Sequence, residues 1–257
     1  MSTSQQLHFD AIVCDGHCDT LGDVLAGTRP LHDHANSGHV DLPRLRAGGV
    51  TAQVFACFVP VSEYHTGATR HALQRLDAFH ETLAADDRDL LLATGAADIR
   101  QAKTSGKIAG LLGLEGAEAL AGSLEVLRCF HRLGVRVLGL TWNFRNEVAD
   151  GVHDSGTTGL TPFGVRVIEE SNRIGMVIDV SHLSPAGLTH VLAVSQQPVI
   201  ASHSNARALC AHTRYPTDMH IVAISSKAGL IGATFWLTYL TLLNYNAIIT
   251  LVSNPLF

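Results

Sequence analysis

The sequence predicts an α/β fold, a (β/α)8 barrel of the TIM type, on three observations. Seven short apolar runs are continuous rather than alternating, as strands buried on both faces are. Helical stretches lie between them, and about seven strand–helix alternations in one chain imply a parallel sheet with right-handed crossovers. The 257 residues, 46% of them apolar, can bury one large core.

The strand-like runs are Phe9 to Cys14, Val50 to Val59, Ile108 to Leu114, Val135 to Leu140, Met176 to Val180, Val199 to Ser202 and Leu230 to Phe235. Helical spacing marks His71 to Ala85, through Leu73, Leu76, Phe79 and Leu83, and Leu120 to Leu133, which ends at Gly134. Pro162 to Ile174 has Thr161 to cap its start and Gly175 to stop it. Pro185 to Val194 and Thr217 to Ala228 read the same way. An open doubly wound sheet is the alternative, but no GxGxxG loop follows the first strand.

From Ala228 to Phe257 there is no charged residue, and no amphipathic helix follows the seventh run. The barrel is therefore expected to be truncated there, with residues 1–235 an incomplete barrel and 236–257 an atypical apolar tail. The tail is long enough to span a membrane, but Asn244 and Asn246 at its centre argue against that.

Charged residues make up only 16%, the net charge is -5, and no basic block occurs, which excludes nucleic acid as an expected partner. Five cysteines, with no CxxC pair, indicate neither a disulfide framework nor a zinc knuckle. Cys14, Cys57 and Cys129 lie in apolar stretches and read as small buried hydrophobes. The polar stretch Met1 to Phe9 lacks the order of a signal peptide, so a cytoplasmic protein without a membrane partner is expected.

A parallel barrel delivers the C-terminal end of every strand to one rim, where barrel enzymes build their sites. His17 and Asp19 lie two apart at the end of the first run, so they share a side; Glu115, His182 and His203 follow the third, fifth and sixth runs. Each alone has a bland reading as a capping carboxylate or a polar strand end. Together they put five metal-competent side chains on one rim. That exceeds what one tetrahedral ion requires and suits two ions, with Glu115 as the bridge because each of its oxygens can serve one ion. Such a centre activates water and polarises a substrate oxygen, which is hydrolase chemistry.

Asp-Gly-His17-x-Asp19, Gly-Leu-Glu115-Gly, Asp-Val-Ser-His182 and Ala-Ser-His203-Ser-Asn-Ala-Arg resemble the motifs of the renal or membrane dipeptidase family of zinc peptidases, across about Phe9 to Phe235. The resemblance implies a barrel of the metal-dependent hydrolase kind, two Zn2+ ions and a homodimer. It also implies hydrolysis of dipeptides, including those with a C-terminal D-residue, by a metal-bridging hydroxide. His17 and Asp19 would hold one zinc, His182 and His203 the other, with Glu115 between them. His17, Asp19 and Glu115 would thus be the catalytic group. Arg214 matches the arginine that receives the substrate's C-terminal carboxylate, with Arg207 the competing candidate.

Two departures accompany the match. Trp142 stands where the family has a substrate-binding histidine, leaving the adjacent Asn143 as a donor to substrate or as a support behind the ligands. The family's acidic residue from the last strand has no counterpart. Alternative readings are a zinc-binding but inactive member, or a cyclic-amide or lactone hydrolase with the same centre. The ligand set also accepts manganese or cobalt.

Overall fold

The computed structural model describes residues 2–34, 37–60, 67–154 and 158–235. The apolar stretch 236–257 lies outside the described residues. The chain opens with α1 (Thr3–Asp10) and β1 (Cys14–Cys18), then α2 (Leu21–Leu25), α3 (Leu42–Ala47) and β2 (Ala52–Phe58). Next come α4 (Ala68–Ala85), β3 (Leu90–Leu92), α5 (Ala96–Ser105) and β4 (Ile108–Glu115). A 3-10 turn at Ala117–Leu120 leads into α6 (Leu124–Arg132) and β5 (Val135–Gly139). The remainder is α7 (Pro162–Ile174), β6 (Val177–Asp179), α8 (Pro185–Val194), β7 (Val199–Ser204), α9 (Asp218–Ser226) and β8 (Leu230–Ala233).

All strand pairings within the sheet are parallel, in the order β1-β2-β4-β5-β6-β7-β8, so seven strands form the wall of a TIM-type barrel. The eighth strand, β3, lies off this path: it pairs with β4 at Ile108 to Gly110, while β5 pairs with β4 from Leu112 to Glu115. The wall curls far enough to bring β1 against β7, where a Cβ on Gly16 would come within 2.5 Å of the Ser202 carbonyl. No ladder joins β1 to β8 among the described residues. Nor, among them, is any helix long and apolar enough to cross a membrane.

The helices cover the outer face of this wall. Phe79 of α4 meets Phe55 of β2 with ring centroids 5.5 Å apart. Its ring lies so close over Gly110 of β4 that a Cβ there would sit 2.6 Å from it, which is why this strand position carries no side chain. Helix α7 begins where Thr161 Oγ1 accepts from Gly164 N and ends with Gly175 in the left-handed region at φ 79°.

Several sequence expectations need correction. The first strand is Cys14–Cys18, not Phe9 to Cys14; Thr3–Asp10 is a helix started by a Ser2–Gln5 capping box. The stretch read as one helix from Leu120 to Leu133 is broken by Ala121 and Gly122 at positive φ, and α6 starts afresh with Ser123 capping Val126 N. The strand β3 and the helix α5 were not expected at all. Cys57 is buried, but Cys14 and Cys129 are exposed, so those two are not core residues.

This arrangement fixes thiol reactivity. Cys18, Cys57 and Cys210 are buried, and burial pushes the Cys57 thiol up to about 12 and raises that of Cys18 further. In the native protein an aromatic disulfide reagent should titrate two thiols, Cys14 and Cys129, and all five only in denaturant. Rapid native titration of more than two thiols would contradict the burial described.

Candidate metal centre

His17 reaches the rim through an irregularity in β1. Asp15 pairs with Gln53 but Cys18 pairs with Phe55, so β1 holds one more residue than β2 over this span. Such a bulge resets the alternation of side chains. Asp15 takes up the shift by accepting the His17 N–H at 2.9 Å. His17 then faces the barrel interior with Asp19 beside it, Nε2 to Oδ1 3.4 Å.

Glu115 is the last residue of β4, opposite Phe58 of β2 and Gly139 of β5. Its two oxygens face different imidazoles. Oε2 lies 3.4 Å from His17 Nε2, whereas Oε1 lies 3.2 Å from His182 Nε2 and 3.8 Å from His203 Nε2. The structure thus brings all five candidate ligands together. The two histidine sets are interleaved rather than separate, because the His17 ring stacks on His203 with centroids 3.9 Å apart.

His182 sits just past β6 in the left-handed region at φ 66°, a conformation that costs a non-glycine residue about 1 kcal/mol. Its carbonyl is held by Val152 N at 2.9 Å and Thr141 Oγ1 at 3.3 Å, which offset that cost and aim the ring inward. On the ring, Arg214 Nη2 lies 2.8 Å from Nε2 and Asn143 Oδ1 lies 2.8 Å from Nδ1. A guanidinium can only donate, so Nε2 carries the lone pair and Nδ1–H donates to Asn143.

The charges follow from these contacts. Burial opposes charge on His17, but Glu115 and Asp19 outweigh it and hold the imidazole well above its usual range. Burial likewise opposes charge on Glu115, yet the His17 imidazolium beside it holds its carboxyl well below the usual range. Burial, with His17 and Arg214 nearby, pushes His203 well down, and burial also lowers His182 despite Glu115. One ion pair, His17 with Glu115, therefore stands beside two neutral imidazoles.

This donor set fits a divalent cation. Ligand atoms of His17, Glu115 and His203 all lie within 4.8 Å of one another, and neutral imidazole nitrogens with a carboxylate are what zinc and similar ions take. His182 Nε2 adds a further lone pair 2.9 Å from His203 Nε2.

The flanking candidates are placed as follows. Arg214 is buried, with Nη1 donating to the His203 carbonyl at 2.7 Å, so it belongs to the centre. Arg207 is committed elsewhere, donating from Nε to the Tyr215 carbonyl and from Nη2 to that of Thr213, and braces the loop that carries Arg214. Asn143 is buried with its amide oxygen on His182, which puts it behind a candidate ligand rather than on the open rim. Trp142 meets Phe58 and Phe144 at centroid distances of 5.5 and 5.8 Å and lies 6.2 Å from the His182 ring, forming an apolar wall beside the centre.

Sequence reasoning missed two residues. Asp179, at the end of β6, accepts from Ser181 N, Ser202 N and the Ser202 hydroxyl, and Ser202 in turn lies 2.7 Å from His203 Nδ1. Both stand inside the motifs that hold the two histidines, three residues before His182 and one before His203, which is the signal that could have found them.

Comparison with known proteins bears on this centre. The family model for membrane dipeptidase, peptidase family M19, matches residues 1–254. Dipeptidase verJ of Clonostachys rogersoniana is 34% identical over 253 residues, which cover 91% of this chain and 65% of that protein. Human Dipeptidase 3 is 38% identical over 203 residues, covering 77% of this chain and 41% of that one. The chain thus spans less than two thirds of either relative. A solved metallo peptidase from Rhodobacter sphaeroides, liganded with a phosphinate mimic of the dipeptide L-Ala-D-Ala, superposes with a TM-score of 0.83. It is 30% identical, with 90% of this chain and 75% of that one covered. With the family model matched over nearly its whole length, the chain belongs to the membrane dipeptidase family, peptidase family M19.

Proposed function

We propose that the chain is a dinuclear zinc dipeptidase. The observation that carries the reading is the split of Glu115, one oxygen toward His17 and the other toward His182 and His203, as a carboxylate bridging two ions would be disposed. His17 and Asp19 would hold one Zn2+, His182 and His203 the other. When bound, the ions supply an activated water and an electrophile for the scissile carbonyl.

The chain's own residues do the positioning. Arg214, anchored through Nη1 on the His203 carbonyl, would turn Nη2 from His182 Nε2 to the substrate's C-terminal carboxylate once a cation takes that lone pair. That anchor sets the carboxylate at a fixed distance from the ligands, which selects short substrates with a free C-terminus. The wall of Phe58, Trp142 and Phe144 is apolar, so it bounds the substrate side chain and excludes water there. Acceptance of a C-terminal D-residue is supported by the L-Ala-D-Ala mimic held by the Rhodobacter sphaeroides relative.

Hydrolysis of a panel of L-L and L-D dipeptides with added zinc tests the reading. Turnover should vanish in His17→Ala, and Arg214→Met should raise KM at least about tenfold, by loss of a charge-assisted pair, while leaving C-terminal amides unaffected. Two bound ions without dipeptide turnover would mean a metal centre without the enzyme; turnover of lactones alone would reassign the substrate.

Metal binding should also depend on pH in a defined direction. The metal-free His17 is held protonated by Glu115 and Asp19, so a cation must displace that proton. Apparent affinity should rise with pH up to the raised pKa of His17, about tenfold per unit for each proton displaced. Calorimetry in buffers of different ionisation enthalpy should register proton release near pH 7, and no release would contradict a charged His17.

A further inference from the structure

We propose that Asp179 and Ser202 act as a positioning relay that holds His203 as its Nδ1–H tautomer and directs Nε2 at Glu115. This rests on the metal-centre reading above, but its first test needs no metal. Asp179 and Ser202 come from adjacent strands, β6 and β7, whose register sets Asp179 opposite Ile200, two residues before Ser202. Both are buried, and the Asp179 carboxylate takes three donors: Ser181 N at 2.9 Å, Ser202 N at 3.0 Å and the Ser202 hydroxyl.

The proton count decides the tautomer. A serine hydroxyl has one proton, and Ser202 spends it on Asp179. Its oxygen can then only accept from its remaining neighbours, His203 Nδ1 at 2.7 Å and Ser181 Oγ at 3.3 Å. His203 must therefore carry its proton on Nδ1 and its lone pair on Nε2. Ser181 Oγ also receives the His203 N–H at 3.3 Å, and the one atom left without a donor is His203 Nε2, whose lone pair faces that of His182 Nε2 at 2.9 Å, the disposition a shared cation would satisfy.

His182 reaches the same tautomer by other means, the neutral Asn143 amide. The two paired imidazoles are thus supported unequally. A carboxylate stands behind His203, acting through a hydroxyl, whereas a neutral amide stands behind His182.

Histidine 15N spectra of the metal-free protein report the tautomer directly. Wild type should show the Nδ1–H form at His203, and Ser202→Ala should shift it to a mixture. In competition with a chromogenic chelator, Ser202→Ala should bind Co2+ about 10- to 100-fold more weakly at the His203 ion, with an altered visible spectrum. Ser202→Thr, which keeps the hydroxyl, should restore both, and Asp179→Asn should fall between. An Nε2–H form in wild type, an unchanged tautomer and affinity in Ser202→Ala, or equal losses in Ser202→Ala and Ser202→Thr would each overturn the relay. Wild type with the Nδ1–H form but no Co2+ uptake would support the relay and sink the metal-centre reading instead.

Discussion

A carboxylate buried to 8% exposure among three imidazoles sets the terms for everything around it. Burying an isolated charge costs several kcal/mol even after relaxation, so Glu115 must be matched by positive charge. In the metal-free chain that charge is the proton on His17; cations meet the same requirement better. The parallel barrel ends β1, β4, β6 and β7 on one rim, and these side chains meet there. The β1 bulge and the left-handed backbone of His182 are local concessions to that convergence.

Around this centre the chain spends its polar contacts on orientation rather than on surface pairing. Asn143 and the Asp179–Ser202 pair each meet the outer nitrogen of one histidine, while Arg214 ties the two histidines together through a ring nitrogen and a carbonyl. An imidazole fixed at both edges loses little further freedom when it binds an ion, and this is how supporting contacts raise ligand affinity. The apolar wall of Phe58, Trp142 and Phe144 completes the site on its other side.

Much of this was legible in the sequence, for physical reasons that also mark where legibility stops. Helices α7 and α8 could be bounded to the residue because Thr161 and Ser184 cap N–H groups that Pro162 and Pro185 leave one short, and because Gly175 ends α7. The convergence of the five candidate side chains was legible because strand ends in a parallel barrel share a rim. The first strand was misplaced because its functional end, Cys14–Cys18, has little apolar character, whereas Phe9 and Ile12 just before it do. Strand β3 has three residues, too few to show a period. The role of Asn143 and the relay behind His203 depend on which side chains face each other across neighbouring strands, and no spacing within one strand encodes that.

The central property of this centre is whether Glu115 bridges two ions. Crystals grown with zinc and measured across its absorption edge would settle this directly. Two anomalous peaks are expected on opposite sides of the Glu115 carboxylate, one contacting His17 and Asp19 and the other His182 and His203. A single peak held by His17, Glu115 and His203 together, with His182 left on Asn143 and Arg214, would contradict the bridge.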